Sequence, residues 1–292
     1  MDTDTLQAFL TVANTNSFSI AAEKLFITQP AVSKRIAALE SELNTHLFDR
    51  IGRSISLTEA GRTLLPRAQR VIAELEDSKR AVSNLSGKVE GRLSVGTSHH
   101  IGLHRLPPIL RNYTLQYPDV ELDLRFMDSE QACAAVLHGD LEIGIVTLPL
   151  EPIDKLIMKK IWHDPLSVVV GKTHPLAKKK NIKVEQLAEH TAILPARGPY
   201  TREVLERTLN PLNIHLRVSL STNYLETIKM MVDVGLGWSV LPVSMLDKKN
   251  YRLINVSGLK FERTLGVVQH RERTLSNAAN TLIGMLQNNP DI

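Results

Sequence analysis

The chain has 292 residues, 43% apolar and 23% charged, an ordinary globular composition that excludes a wholly disordered or collagen-like chain. At about 150 residues per domain the length predicts two domains, long enough to bury cores without a metal or disulfide staple. The single cysteine, Cys133, excludes an intramolecular disulfide and any multi-cysteine zinc site, and the net charge of +4 permits nucleic-acid binding without arguing for it. No apolar run reaches the ~18 residues of a membrane span. The opening MDTDTLQAFLTVANTNSF is acidic where a secretion signal would be basic. A cytoplasmic protein with no membrane contact is therefore expected.

Leu6, Phe9, Leu10 and Ala13 recur at helical spacing and predict a first helix, broken at Asn14–Asn16. Ser17 can cap a second helix with Ile20, Ala21 and Leu25 facing inward. Phe26 and Ile27 form a tight turn, and Thr28 is the candidate N-cap of a third helix. Pro30 falls in that helix's first turn, where its missing N–H costs nothing. Val32, Ile36, Leu39 and Leu43 step by 4, 3 and 4 and make one buried stripe. Pro30 and Lys34 point away from it, Ser33 flanks the exposed side, and Gln29 opens the helix. Two short helices around a tight turn, the second presenting slim amide and hydroxyl side chains, describe a helix-turn-helix suited to a DNA major groove. A generic three-helix core with a solvated outer face has the same pattern.

The residues carry more than the pattern. SFSIAAEKLFITQPAVSKRIAALESELNTHLFDR followed by SISLTEAGRTLL resembles the N-terminal domain of LysR-type transcriptional regulators. The similarity includes A-A-x-x-L in the second helix, T-Q-P-A-V-S opening the third, L-E-x-x-L closing it, then L-F-x-R and L-T-x-A-G. GDLEIGIV at Gly139–Val146 and GLGWSVLP at Gly235–Pro242 extend it, more loosely, along the chain. The resemblance implies a winged helix-turn-helix over residues 1–58, a dimerising linker helix over 59–90, and a two-lobed α/β effector domain over 91–292. That domain would resemble type 2 periplasmic binding proteins, with one lobe from 91–161 and 268–292 and the other from 162–267. It also implies base contacts from Gln29, Pro30, Ser33 and Lys34, and backbone or minor-groove contacts from Arg50 and Arg53 beside a wing turn near Gly52. An ion pair of Arg50 with Asp49 or Glu42 is the competing reading. Residues 20–53 hold five basic and four acidic side chains, so binding should lean on shape and dimer geometry as well as charge. The expected partners are an imperfect palindrome of double-stranded DNA upstream of promoters, RNA polymerase, a small-molecule effector, and further copies of the chain as a dimer or, preferably, a tetramer.

Residues 58–86 form one long helical pattern. Ser56 with Glu59 has capping-box spacing, with Thr58 as the rival cap. Leu64, Ala68, Val71, Leu75, Ser78, Val82 and Leu85 form an unbroken heptad seam, widened by Leu65 and Ile72. Such a stripe exceeds what a short wing domain can cover, so a second copy is the natural partner, with packing against the chain's own effector domain as the competing reading. Pro66 breaks interior helix rules and predicts a kink.

From Gly91 onward strands alternate with helices, the texture of an α/β sheet. Strands are expected at Leu93–Thr97, Val120–Met127 and Ile143–Thr147, and helices at Pro107–Gln116 and Ser129–Leu137. Ligands in such sheets bind beyond strand carboxyl ends, near helix N-termini. Thr97, Ser98, Ser129 and Thr147 fall there, and the second lobe offers Pro195, Arg197 and Asn223. Each hydroxyl could instead be a cap or turn residue. Arg197 suggests an anionic effector, with a surface ion pair as the alternative. His99 is a candidate cleft residue beside His100. A metal at His100 and His104 requires a helix that Gly102 argues against, and no metal or cofactor is expected.

No G-x-S-x-G, H-E-x-x-H or phosphate loop occurs, and Gly235-Leu236-Gly237 lacks the third glycine of a dinucleotide fingerprint. An enzyme is therefore not expected. A DNA-binding regulator without an effector is the nearer alternative, and a solute-binding protein the more remote one.

Overall fold

The computed structural model describes residues 1–51, 54–196, 200–212, 214, 216–247 and 250–289. The chain divides into two compact units, one built mainly from Met1–Leu85, the other from Ser86–Leu137 and Leu141–Ile292.

The first unit opens with α1 (Thr3–Thr15), α2 (Phe18–Lys24) and α3 (Gln29–Leu43). Asp2, Ser17 and Thr28 cap them, each side chain accepting a hydrogen bond from a backbone N–H in the first turn. A two-stranded antiparallel wing follows, β1 (Phe48–Ile51) with β2 (Ser54–Leu57). Leu6, Phe9, Ala21, Val32, Ile36, Leu39, Leu47 and Phe48 close one core. At about 1.5–3 kcal/mol for each large apolar side chain, that burial holds the three helices together. Two sequence expectations need correction. Ile20 is exposed, Ala22 taking the inward place, and Leu43 is exposed where the stripe runs past the core.

The L-E-x-x-L and L-T-x-A-G segments have structural work here. The Glu40 carboxylate accepts hydrogen bonds from the backbone N–H groups of Leu47 (2.7 Å) and Phe48 (3.3 Å), tying α3 to the wing. Thr58, not Ser56, caps α4 (Glu59–Ser83), accepting from Gly61 N–H at 3.0 Å. A Cβ at Gly61 would stand 2.2 Å from the Leu47 carbonyl oxygen, so only glycine lets α4 approach the wing's base. The helix continues through Pro66.

The second unit contains β3 (Gly91–Thr97), α5 (His99–His104), α6 (Pro107–Gln116), β4 (Val120–Phe126), α7 (Ser129–His138), β5 (Ile143–Thr147) and β6 (Leu156–Gly171). Then come β7 (Asn181–Ile182), α8 (Val184–Ala188), β8 (Ala192–Leu194), α9 (Tyr200–Leu209), β9 (Val218–Ser221), α10 (Leu225–Asp233), β10 (Trp238–Pro242), β11 (Tyr251–Val256), β12 (Phe261–His270) and α11 (Asn277–Gln287). The sheet order is β4-β3-β5-β12-β6-β10-β8-β9, with β11 pairing β6 and β7. The sheet is mixed: β3 runs parallel to β4 and β5, while β12 is antiparallel to both β5 and β6.

Two lobes hang on this sheet. The first holds β3–β5 with α5–α7 and α11, its cores lying on both sheet faces. The second holds β7–β11 with α8–α10, again covered on both faces. The long strands β6 and β12 belong to both and pair from Phe261↔Leu166 to His270↔Leu156. Their register shifts between Leu265 and Gly266, opposite Trp162 and Lys160. An extra residue bends and twists a strand locally, and this one sits where one lobe gives way to the other.

Candidate functional site

Two surfaces of the molecule gather chemistry. The first is the opening of α3. Gln29, Pro30 and Lys34 are exposed and Ser33 is half-buried. The Gln29 amide nitrogen donates to the Ser33 hydroxyl at 3.0 Å, joining two of the sequence-selected residues on one helical face. Phe26, in the turn before α3, is 95% exposed and has a left-handed φ of 54°, uncommon for a bulky residue. The turn is held by Phe26 N–H donating to the Glu23 carbonyl and Ile27 N–H to that of Ala22. The structure places the Arg50 backbone in β1 opposite Ile55; Arg53 lies outside the described residues. Along α4 the heptad seam divides. Leu64 is half-buried and Ala68 buried in the first unit's core, whereas Val71, Leu75, Val82 and Leu85 are 47%, 37%, 71% and 86% exposed.

The second surface is a cleft between the lobes of the second unit. It is lined by Ser98, His99, His100, Asp128, Ser129, Glu130 and Thr147 from the first lobe, by Pro195, Tyr200, Thr201, Asn223 and Leu225 from the second, and by Arg263 of β12. Its volume is about 40 Å³, room for a few water-sized groups at roughly 10–15 Å³ each. Of the residues selected from sequence, Ser98, His99, Ser129, Thr147, Pro195 and Asn223 meet here. Ser98 precedes α5 but makes no side-chain cap. Ser129 accepts from the Thr147 backbone N–H at 3.1 Å, fastening α7 to the end of β5. His99 packs its ring on Phe126 and edge-on against Tyr224 of the other lobe, centroids 5.2 and 4.7 Å apart. Thr97 requires correction. It is fully buried, its hydroxyl donates to the Ile145 carbonyl at 2.8 Å, and it does not line the cleft. Arg197 lies outside the described residues.

Two carboxylates bridge the lobes. Asp128 accepts from the Asn223 side-chain amide at 2.7 Å, and Glu130 accepts from the Tyr200 backbone N–H at the start of α9. The Asn223 oxygen accepts in turn from Ala196 N–H at 3.2 Å. Burial pushes the Glu130 carboxyl above its ordinary range.

The floor holds a charged cluster that the sequence reading missed. Asp164 of β6 is fully buried and accepts from Arg263 Nε at 2.7 Å and Arg105 Nη2 at 3.3 Å. Arg263 Nη1 donates to Thr201 Oγ1 at 2.7 Å. His100 lies 3.8 Å from Asp164, beyond hydrogen-bond reach, and neither ring nitrogen has a hydrogen-bond partner among the described residues. Burial, with Arg263, His104 and Arg105 adding to it, holds the His100 imidazole at a pKa of about 2. It is therefore neutral at physiological pH. The helix carrying it contradicts the expectation drawn from Gly102. A Cβ there would stand 2.2 Å from the Phe126 ring, so close packing rather than a break accounts for this glycine. Because the folded His100 titrates far below an unfolded histidine, the unfolded chain binds the extra proton as pH falls below ~6.5. His100→Asn should therefore flatten the acid loss of stability, the variant-minus-parent difference growing by about 1.4 kcal/mol per pH unit below that point. Chemical denaturation at stepped pH measures it.

Cys133, on α7, is buried, and burial pushes its thiol up to about 11. A thiol so held is a poor nucleophile. Cys133→Ser is expected to leave oxidant response unchanged, since an oxidant-dependent change in DNA affinity should be absent in parent and variant alike; anisotropy with and without peroxide checks it.

Comparison with known proteins gives the setting. Residues 3–62 match the family model for bacterial regulatory helix-turn-helix proteins of the LysR family, and residues 86–291 match the LysR substrate binding domain. The uncharacterized HTH-type transcriptional regulator YybE of Bacillus subtilis is 31% identical over 282 residues, covering 96% of each chain. Full-length CbnR complexed with its target DNA has the same fold, with a TM-score of 0.67, 20% identity and 99% of each chain covered. So has the CcmR regulatory domain of Synechocystis PCC6803 in complex with 2-PG, with a TM-score of 0.63, 24% identity, and coverage of 69% of this chain and 98% of that one.

Proposed function

Because the chain belongs to the LysR family of bacterial helix-turn-helix transcriptional regulators, we propose that it reads a promoter with α3 and adjusts that binding through the interlobe cleft. The working parts are a DNA-binding domain over residues 1–58, a linker helix over 59–90, and an effector domain whose lobes are 91–161 with 268–292, and 162–267. One observation carries the reading. A single chain joins an exposed α3 opening of amide, hydroxyl and ammonium groups to a cleft where side chains of two lobes converge. CbnR bound to its target DNA supports the first half, and CcmR bound to 2-PG supports the second.

In this reading Gln29, Pro30, Ser33 and Lys34 face base edges, and Arg50 and Arg53 hold the backbone or minor groove. Two copies joined along the exposed half of α4 would set paired recognition helices about one DNA turn, ~34 Å, apart on an imperfect palindrome. Pairing of dimers into a tetramer would let an effector respace those pairs, and RNA polymerase would be the downstream partner in the cytoplasm. Ser98, His99, Ser129, Thr147, Pro195 and Asn223 would meet a small effector, with Arg197 a further candidate. The cleft's ~40 Å³ is far below the roughly 300–1,000 Å³ of a pocket for a drug-sized ligand. The effector must therefore bind an opened state better than this one, or it shifts nothing.

The test is an anisotropy series on specific and scrambled duplexes at several salt concentrations. Gln29→Ala should cost about 1–3 kcal/mol on the specific site and relax sequence choice at one position per half-site. Arg53→Ala should weaken both duplexes and flatten the salt slope. Equal losses on both duplexes with the parent's salt slope, for both variants, would show that reader and anchor are wrongly assigned.

A further inference from the structure

The cleft floor carries a cation with a donor to spare. Arg263 is only 5% exposed. Its Nε is committed to Asp164 and its Nη1 to Thr201, but Nη2 has no hydrogen-bond partner among the described residues, although the residue lines the cleft. Burying a charged donor without an acceptor is costly. Asp164 shares its carboxylate between Arg263 and Arg105, and His100 beside them is neutral. The floor thus offers one unspent donor of a buried guanidinium, a charge-assisted partner for a carboxylate oxygen.

The other charged groups facing the cleft limit what else the ligand can carry. Asp128 and Glu130 are already engaged with lobe II donors, the Asn223 amide and the Tyr200 N–H. Both would repel a second anionic group and accept from a hydroxyl or ammonium group. Resting on the cleft reading above, we infer that the effector is a small monocarboxylic acid with hydrogen-bond donors at its far end. Its carboxylate seats on Arg263 Nη2, and its donors face Asp128 and Glu130. A doubly charged phosphate ester is disfavoured by the same two carboxylates.

The test uses the full chain and named probes: glycolate, lactate, glycerate and shikimate, each beside its carboxamide, with phosphoglycolate and inorganic phosphate. Ligand that binds only the native state raises the melting temperature. At least one acid is expected to raise it, its amide to bind at least about tenfold more weakly, and the phosphates to have no effect. Arg263→Lys keeps the charge but loses the Nη2 donor, and is expected to weaken the acid at least about tenfold. Because that variant can fail to fold, a crystal structure of the parent chain with the strongest acid is the second measurement, expected to place a carboxylate oxygen on Nη2. Amides binding as well as acids, phosphoglycolate binding best, or an acid in the cleft with its carboxylate elsewhere would each overturn the seat and leave the cleft reading standing. An acid bound only outside the cleft would overturn both. No binding by any probe up to tens of millimolar would overturn the monocarboxylate assignment alone.

Discussion

A chain carrying Leu75→Asp should run as a monomer in light scattering at micromolar concentration, where the parent runs as a dimer or tetramer. The exposed half of α4 gives the reason. Val71, Leu75, Val82 and Leu85 continue the stripe that Leu64 and Ala68 bury in their own domain, yet they are left open to solvent. A heptad stripe of this kind packs against a second helix. In a two-fold pair one substitution brings two aspartates into the seam. Each buried, uncompensated charge costs on the order of 3–5 kcal/mol, enough together to weaken association by more than about 10⁴-fold. Specific DNA affinity should collapse with it, because a monomer holds one half-site. Glu74→Lys, on an exposed position off the seam, is the control and should leave the mass unchanged. An unaltered oligomer in Leu75→Asp would mean that α4 is not the interface.

How far the sequence anticipates this molecule depends on the reach of each interaction. Elements whose signal is local are legible: the caps at Ser17 and Thr28, the stripe of Val32, Ile36 and Leu39, and the helix Pro107–Gln116. Cleft residues at strand ends and helix starts, such as Ser98, Ser129 and Thr147, are legible for the same reason. Thr97 shows the limit. Its place at a strand end says nothing of which way its hydroxyl turns, and it serves Ile145, 48 residues away. Gly102 misleads because a glycine that weakens a helix in isolation here admits the Phe126 ring. The charged floor has no sequence signature at all. Arg105 and Arg263 lie 59 and 99 residues from Asp164, in unrelated elements, and each alone reads as a surface charge. The pairing of β6 with β12 sets Arg263 opposite Asp164, and the end of α5 adds Arg105.

That same cluster should carry the largest single effect on stability. Asp164→Asn keeps the shape and one acceptor oxygen but removes the carboxylate that Arg105 and Arg263 share. Both guanidiniums stay charged, since arginine does not give up its proton in proteins, and the neutral His100 supplies no compensating charge. The variant would therefore leave the buried Arg263 guanidinium without its carboxylate and loosen the anchoring of Arg105, at a cost of about 3–5 kcal/mol. For a domain of some 200 residues that corresponds to a melting temperature lower by roughly 6–20 °C, readable by calorimetry on the full chain. The sign of a second substitution distinguishes charge from packing. In the parent, Arg105→Met leaves a one-to-one pair of Arg263 with Asp164 and loses the guanidinium lying 6.0 Å over Trp162, so it should be mildly destabilising. In the Asp164→Asn background the same change removes a positive charge beside the uncompensated Arg263 and should restore part of the loss. If Arg105→Met lowers stability equally in both backgrounds, the cluster is held by shape rather than by charge.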